Sequence, residues 1–319
     1  MLSLNDLKEK RIVFVTSYGG LENSLKFSNS NICLYREGKL INKISCHIVI
    51  SIFVIGEFTI TSQLIKKAKE HGISIFLLNH SFKNYAEIMS VASGNYNLRK
   101  IQYTLDKPKE LKLSKMIVCN KLENQFNLLN KLNIQVTGNN YLDSLHGIEN
   151  ARHYKTILGI EGNYASNYFQ NLFKDLEWYR RAPRTKEDIP NFLLDIGYTY
   201  LFNYVDSLLN LFGFDTYKGF YHQLFFQRQS LSCDLVEPFR VLVDRQLLKS
   251  YHLGQIDDRD FKFRNGAFML KNYKLQKKYT KIWFDLIMDN KESIYNYILS
   301  FYRYMMNPDN YPEPRFVYK

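Results

Sequence analysis

Residues 230–240 read SLSCDLVEPFR and begin eight residues after His222. On a helix, Asp234 and Glu237 lie three apart and share one face, with Leu231, Leu235 and Phe239 on the other. Two carboxylates held so close repel each other, so a solvated face gains nothing from the pairing, whereas a divalent cation turns the repulsion into binding. The upstream imidazole of His222 completes a set of hard oxygens plus one nitrogen, the kind that magnesium or manganese chemistry uses. A third acid, Glu161, sits in LGIEGNYASNYF, a run otherwise apolar and aromatic, where a charge is either paired or functional. Each residue alone also has a plainer reading. Glu161 could be a solvated helical acid and His222 a hydrogen-bonded core histidine. Asp234 and Glu237 could pair with Arg240, three residues beyond Glu237 on the same face.

Taken together, the order and wording of these stretches resemble the CRISPR-associated integrase family, the catalytic subunit of the spacer-acquisition complex. The family pattern is a Glu-Gly pair opening a helix, a Gly-Phe-x-His turn, and an Asp-Leu-x-Glu-Pro-Phe-Arg helix. Here these are Glu161-Gly162, Gly219-Phe220-Tyr221-His222, and Asp234-Leu235-Val236-Glu237-Pro238-Phe239-Arg240. Between them the family has a basic, proline-containing stretch leading to Asp-Pro-x-Asn and a Gly-Tyr helix, matched by RRAPRTKEDIPN at 180–191 and Gly197-Tyr198. Two details depart: Ile189 intrudes between Asp188 and Pro190, and Asp195 stands where an Asn is common. The wording matches over roughly residues 145–245 and only the topology outside them.

The resemblance implies that Glu161, His222 and Glu237 are ligands of Mg²⁺ or Mn²⁺, with Asp234 a nearby second acid of the catalytic site. Arg240 either fixes Glu237 or meets a phosphate. It also implies the reaction, in which 3′-hydroxyl ends of a short double-stranded DNA attack phosphodiesters of CRISPR repeat DNA by transesterification. Water in place of the hydroxyl gives endonuclease activity. The implied assembly is a homodimer formed through the β-domain, joined by a small ferredoxin-like CRISPR-associated partner. A general metal-dependent nuclease acting on branched DNA in repair would carry the same site and is the alternative.

Two textures of sequence must position these residues. Up to about residue 95, short β-strands are expected at 11–17, 24–28, 31–37, 39–45, 47–55, 73–79 and 86–93, with Glu37-Gly38 at a hairpin tip. One helix, 61–72, starts at Thr61 or Ser62 and ends at Gly72. From 96 to 319 the period is helical, with long segments at 96–133, 145–180, 191–212, 230–251 and 267–305. The expected fold is therefore α+β: a β-sheet domain with one helix, then an all-α catalytic domain. Arg180, Arg181, Arg184 and Lys186, in a loop bracketed by Pro183 and Pro190, are candidates for gripping phosphates or plain solvated charges. Tyr18, beside Gly19-Gly20, is placed to act as a wedge in DNA. The tail NPDNYPEPRFVYK reads as extended or disordered.

A chain of 319 residues that is 45% hydrophobic has ample material for two cores. Its net charge of +12 and pI of about 9.3 fit a polyanionic partner. Residues 1–95 hold 11 Lys/Arg and 7 Asp/Glu, which leaves +8 of the +12 for the remainder. Cys33, Cys46, Cys119 and Cys233 have no zinc or disulfide spacing. The apolar run at 48–56 is too short to cross a bilayer. A cytoplasmic, membrane-free protein is expected.

Overall fold

The computed structural model describes residues 10–17, 21–80, 82–90, 95–134, 141–176, 178–222 and 226–318. Tyr18 lies outside them. Turn chemistry sets the first sheet. Asn29-Ser30 (φ 46° and 58°) joins β2 (Asn23–Ser28) to β3 (Asn31–Arg36), and Glu37-Gly38 (φ 48° and 73°) joins β3 to β4 (Lys39–Ser45). Positive φ at both central residues matches the strand twist of a two-residue hairpin. With β6 (Thr59–Ile60) the sheet order is β4-β3-β2-β6.

A second sheet has the order β1-β5-β7-β8, from β1 (Arg11–Thr16), β5 (Val49–Ile55), β7 (Ser74–Leu78) and β8 (Asn84–Ile88). Every residue of β5 is buried, as its continuous apolar run requires between two parallel neighbours, β1 and β7. The crossover from β5 to β7 contains α1 (Ser62–Glu70), whose cap is Thr61: its Oγ1 accepts from the Leu64 N–H at 3.2 Å. Leu25, Ile32, Val49, Ile52, Leu64 and Ile75 form this core.

By compactness the chain divides into one unit running up to Lys100 with Asp206–Asp215, and another of Ile101–Val205 and Thr216 onward. The helices are α2 (Tyr96–Thr104), α3 (Lys107–Lys131), α4 (Tyr141–Glu149), α5 (Tyr154–Leu172), α6 (Ile189–Phe212), α7 (Ser230–Val236), α8 (Arg240–His252) and α9 (Tyr273–Met306). The helix expected over 96–133 breaks where Asp106 caps α3, accepting from the Lys109 N–H at 2.9 Å with Pro108 in the first turn. The helix expected from 267 begins only at Tyr273, because β9 (Phe261–Arg264) and β10 (Ala267–Leu270) form a hairpin on Asn265-Gly266. The helical half thus carries one small sheet. No described helix is long and apolar enough to cross a membrane.

The tail is extended and held. Asn120 and Asn124, one helical turn apart on α3, both donate to the Phe316 carbonyl, and accept from the Phe316 and Tyr318 N–H groups. The Phe316 ring lies tilted against that of Phe239, with centroids 4.7 Å apart. A segment with no regular structure of its own thereby buttresses the turn that carries Glu237.

Candidate functional site

Helix α3 buries Leu113, Ile117 and Leu128 along one stripe, and Lys121 falls in register with them. A charge at such a position needs partners. The ammonium finds two: it donates a short hydrogen bond to Glu161 on α5, and its Nζ lies 2.6 Å from Glu237 Oε2. Pro238 has no N–H to continue a helical ladder, and the chain tightens to a 3₁₀ turn over Glu237–Phe239 between α7 and α8. That turn brings Glu237 inward, 3% exposed, with Arg240 Nε at 3.0 Å from the same oxygen. Oε2 is buried yet makes no hydrogen bond of acceptable geometry with either cation. Burial alone would push the Glu237 carboxyl up, but Arg240, Lys121 and His222 outweigh it and hold it at about 2. Burial likewise opposes the charge on Lys121, and the two glutamates reverse it, so its value is raised.

His222 is set by Asp234. The turn beginning at Gly219 wraps the fully buried Asp234 carboxylate: the Phe220 and Tyr221 N–H groups donate to Oδ2 at 2.6 and 3.0 Å. The His222 N–H donates to Oδ1 at 2.8 Å, and its ring Nδ1 lies 2.7 Å from the same atom. With the proton on Nδ1 facing the carboxylate, Nε2 is the nitrogen with a lone pair to offer, the arrangement of carboxylate-oriented metal-binding histidines. Both Asp234 oxygens are used by the turn, so this acid orients the imidazole.

Gly219 is part of the same lock. A Cβ there would meet the Ser230 backbone carbon at 2.7 Å and Asp234 Oδ2 at 2.9 Å. Gly219→Ala is expected to push the turn off Asp234 and slow the DNA joining that the resemblance implies by roughly 10–100-fold, the scale of losing a ligand-orienting contact. Single-turnover joining by the variant, with circular dichroism as a folding control, measures this; a rate equal to wild type would disconnect the turn from the site.

Among the described residues, no group of three or more His, Cys, Asp or Glu side chains stands ready to hold a metal ion. Glu161 and Glu237 converge instead on the Lys121 ammonium. The donor chemistry nevertheless suits a hard divalent cation: two carboxylates already sharing one positive charge, a buried oxygen lacking a proper hydrogen bond, and an oriented imidazole.

Behind the site, Asp244 on α8 is fully buried and accepts hydrogen bonds from Tyr168 (2.9 Å) and Tyr198. Burial pushes its carboxyl up to about 6, against the pull of the two phenols, Arg240 and Lys121. The Tyr198 ring lies 4.7 Å from the Arg240 guanidinium and 5.3 Å from that of Arg181.

A cleft of about 1310 Å³ takes in Lys121, Glu161, His222 and Arg240, and also the loop carrying Arg180, Arg181 and Arg184. Glu237 and Asp234 lie outside its lining. The four arginines differ in station. Arg180 is exposed and pairs with Glu187 at 3.2 Å, and Arg184 is exposed while its backbone N–H donates to Asp195. Arg181 turns inward to Asn191 (2.8 Å) and Asp195 (2.6 Å), and Arg240 is bound to Glu237. Asp195, the departure from the common Asn, is thus the anchor of the basic loop. Lys121 and Asp244 were not singled out by the sequence, and Asn191 entered only as the last residue of the matched basic stretch, with no role. For Lys121 and Asp244 the available signal is a charge in register with an apolar stripe.

The family described as CRISPR associated protein Cas1 matches residues 13–284. A CRISPR-associated endonuclease Cas1 of Thermodesulfovibrio yellowstonii is 28% identical over 265 residues, 77% of this chain and 83% of its own. One from Francisella tularensis subsp. novicida is 30% identical over 204 residues, 59% of this chain and 64% of its own. Among solved structures, a partial Cas6-RT-Cas1–Cas2 complex matches with TM-score 0.79 at 24% identity, over 96% of this chain and 98% of that one. A casposase bound to integration product matches with TM-score 0.72 at 19% identity, over 97% and 99%. These two structural likenesses concern the fold.

Proposed function

This chain belongs to the CRISPR-associated protein Cas1 family, and we propose that Glu161, His222 and Glu237 form the centre at which it cuts and joins DNA. Its activity is that of an endonuclease and integrase of CRISPR adaptation. The observation that carries the assignment of the centre is the convergence of two carboxylates, from α5 and the 3₁₀ turn, on one positive charge. His222, clamped by Asp234, lines the same cleft as Glu161.

Glu161, His222 and Glu237 would hold Mg²⁺ or Mn²⁺, which when bound supplies Lewis-acid polarisation of the scissile phosphate and stabilises the 3′-oxygen. The protein's own contributions are positional. Asp234 fixes the imidazole and Arg240 fixes Glu237, so neither ligand has to be ordered when substrate arrives. Arg180, Arg184 and Lys186, exposed on the loop of the same cleft, take DNA phosphates. The substrates are double-stranded DNA with 3′-hydroxyl ends and CRISPR repeat DNA. The working assembly is a homodimer with a small ferredoxin-like partner, in keeping with the Cas1–Cas2 complexes among the structural relatives, in the cytoplasm.

EDTA is expected to abolish joining of a 3′-hydroxyl duplex into a repeat-bearing plasmid while weakening DNA binding without abolishing it. Binding should weaken steeply with salt, because affinity comes from phosphate contacts. Filter binding across a salt series and plasmid integration, each with and without EDTA, measure both halves. Joining that persists in EDTA would remove the metal assignment, a flat salt response would remove the basic loop, and cleavage of branched DNA without joined product would favour a repair nuclease.

A further inference from the structure

The apolar stripe of α3 would accept a leucine at position 121, yet the chain has a lysine there, with a side chain only 9% exposed. Its ammonium touches Glu161 and Glu237 together, while Arg240 separately compensates Glu237. These are the two acids that the reading above makes metal ligands. The inference drawn here rests on that reading and concerns what Lys121 does to it.

Geometry and charge both make the ammonium and a divalent cation alternatives. The Glu237 oxygen stands 2.6 Å from Nζ. A hard cation such as Mg²⁺ binds oxygen at about 2.1 Å, so the two carboxylates need to close by only about half an ångström. They are already aimed at one point, and that point is taken. With Lys121 and Arg240 in place the two glutamates are neutralised. A doubly charged ion added beside them would face two positive groups at close range, with neither glutamate charge left free for it. One cation has to leave, and Arg240 is held against the Tyr198 ring. Lys121 is the one with a flexible four-carbon stem, and it lines the cleft along with the basic loop. In that cleft the anion able to receive an ammonium is a DNA phosphate.

We infer that Lys121 is a resident counter-cation: it keeps Glu161 and Glu237 together without metal, competes with the divalent cation for them, and yields when DNA phosphate offers it another partner. Metal and DNA then raise each other's affinity, since such a coupling is reciprocal. A positively charged placeholder also spares the metal-free protein a half-buried Glu161 left uncompensated beside Glu237.

Mn²⁺ binding to the metal-free full chain, followed by titration calorimetry and by the electron paramagnetic resonance of free Mn²⁺, tests this with and without a duplex whose 3′-ends are dideoxy-blocked. Wild type is expected to bind Mn²⁺ at least tenfold more tightly with the duplex than without. Lys121→Met is expected to bind at least tenfold more tightly than wild type when DNA is absent, and to gain little from the duplex. Lys121→Gln, which keeps a hydrogen-bond donor, should do the same, and Lys121→Arg should behave as wild type. If a neutral variant is too unstable for calorimetry, the Mn²⁺-induced rise in its Tm should exceed that of wild type. Equal Mn²⁺ affinity, or an equal Tm rise, in wild type and the neutral variants overturns the role of Lys121 and leaves the metal site standing. An absence of Mn²⁺ binding by all of them, with and without DNA, overturns the metal reading and this inference together.

Discussion

Glu237→Gln is expected to reduce strand joining by more than the roughly 100-fold that loss of a ligand-orienting group produces, with Glu161→Gln and His222→Gln close behind it. The amide keeps the shape of Glu237 and discards the charge, so the effect isolates what the carboxylate does. Two buried cations lie against that carboxylate. Neutralising it therefore also costs folding stability, about 3 kcal/mol for a broken buried pair, and less where Arg240 can reach solvent. Asp234→Asn should separate from these three. Its carboxylate accepts three backbone N–H groups and faces the His222 ring nitrogen, so an amide there loosens the imidazole without deleting a ligand. A fall of roughly 10–100-fold is expected for it. Single-turnover integration at saturating Mn²⁺, run at a temperature where urea titration finds each variant folded, measures the series. A Glu237→Gln enzyme within tenfold of wild type would remove Glu237 from the reaction centre. Asp234→Asn as inactive as Glu237→Gln would move Asp234 from orienting group to ligand.

How far the sequence reaches depends on the range over which each feature is decided. The β2-β3-β4 hairpins were legible because their turns are decided by a few adjacent residues that tolerate positive φ. The cap at Thr61 is equally local. Parallel pairing of β1 with β5 and of β5 with β7 is decided by residues about forty and twenty positions apart, and no turn announces it. The Asn265-Gly266 turn was a plain hairpin signal, masked by the helical period of the residues that follow it. At the site, Glu161, His222, Asp234 and Glu237 were legible as unusual charges in apolar company, and the resemblance assigned them roles. Lys121 was not, because a lysine in KLENQF on a long polar-looking helix reads as solvated. Only the stripe formed by Leu113, Ile117 and Leu128 marks it as inward. Asn191 was legible as the last residue of the matched basic stretch, but not its role: its side chain takes two hydrogen bonds from the basic loop and gives one back to the Arg180 carbonyl. That explains a well-shaped loop where sequence left a solvated connector as an equal reading.

Asp244 leads to the other large effect, on stability against pH. Its carboxyl is pushed up from an ordinary 3.8 to about 6, first by burial, which the hydrogen bonds of Tyr198 and Tyr168 only partly offset. A raised carboxyl favours the folded state while it is protonated. Its contribution is therefore fully present below about 4 and is lost as pH rises through about 6, by roughly 3 kcal/mol in all. Glu237 acts in the opposite sense: its depressed value stabilises the fold above about 4.5 and is lost as pH falls toward about 2. Between pH 4.5 and 7 the Asp244 slope is thus free of Glu237. Asp244→Asn holds a neutral group of the same shape beside the two phenols. The stability difference between the variant and wild type should accordingly move in favour of the variant by up to roughly 3 kcal/mol from pH 4 to 7. Urea unfolding of both metal-free proteins at half-unit steps of pH gives that difference directly and cancels the titration of every other acid. A difference that stays constant across the range would mean that Asp244 is ionised throughout, held by Arg240 and the phenols. The carboxylate would then belong to the charge network that fixes Glu237 through Arg240, and Asp244→Asn should slow strand joining at every pH; if the slope appears as expected, the slowing should be confined to pH above 6.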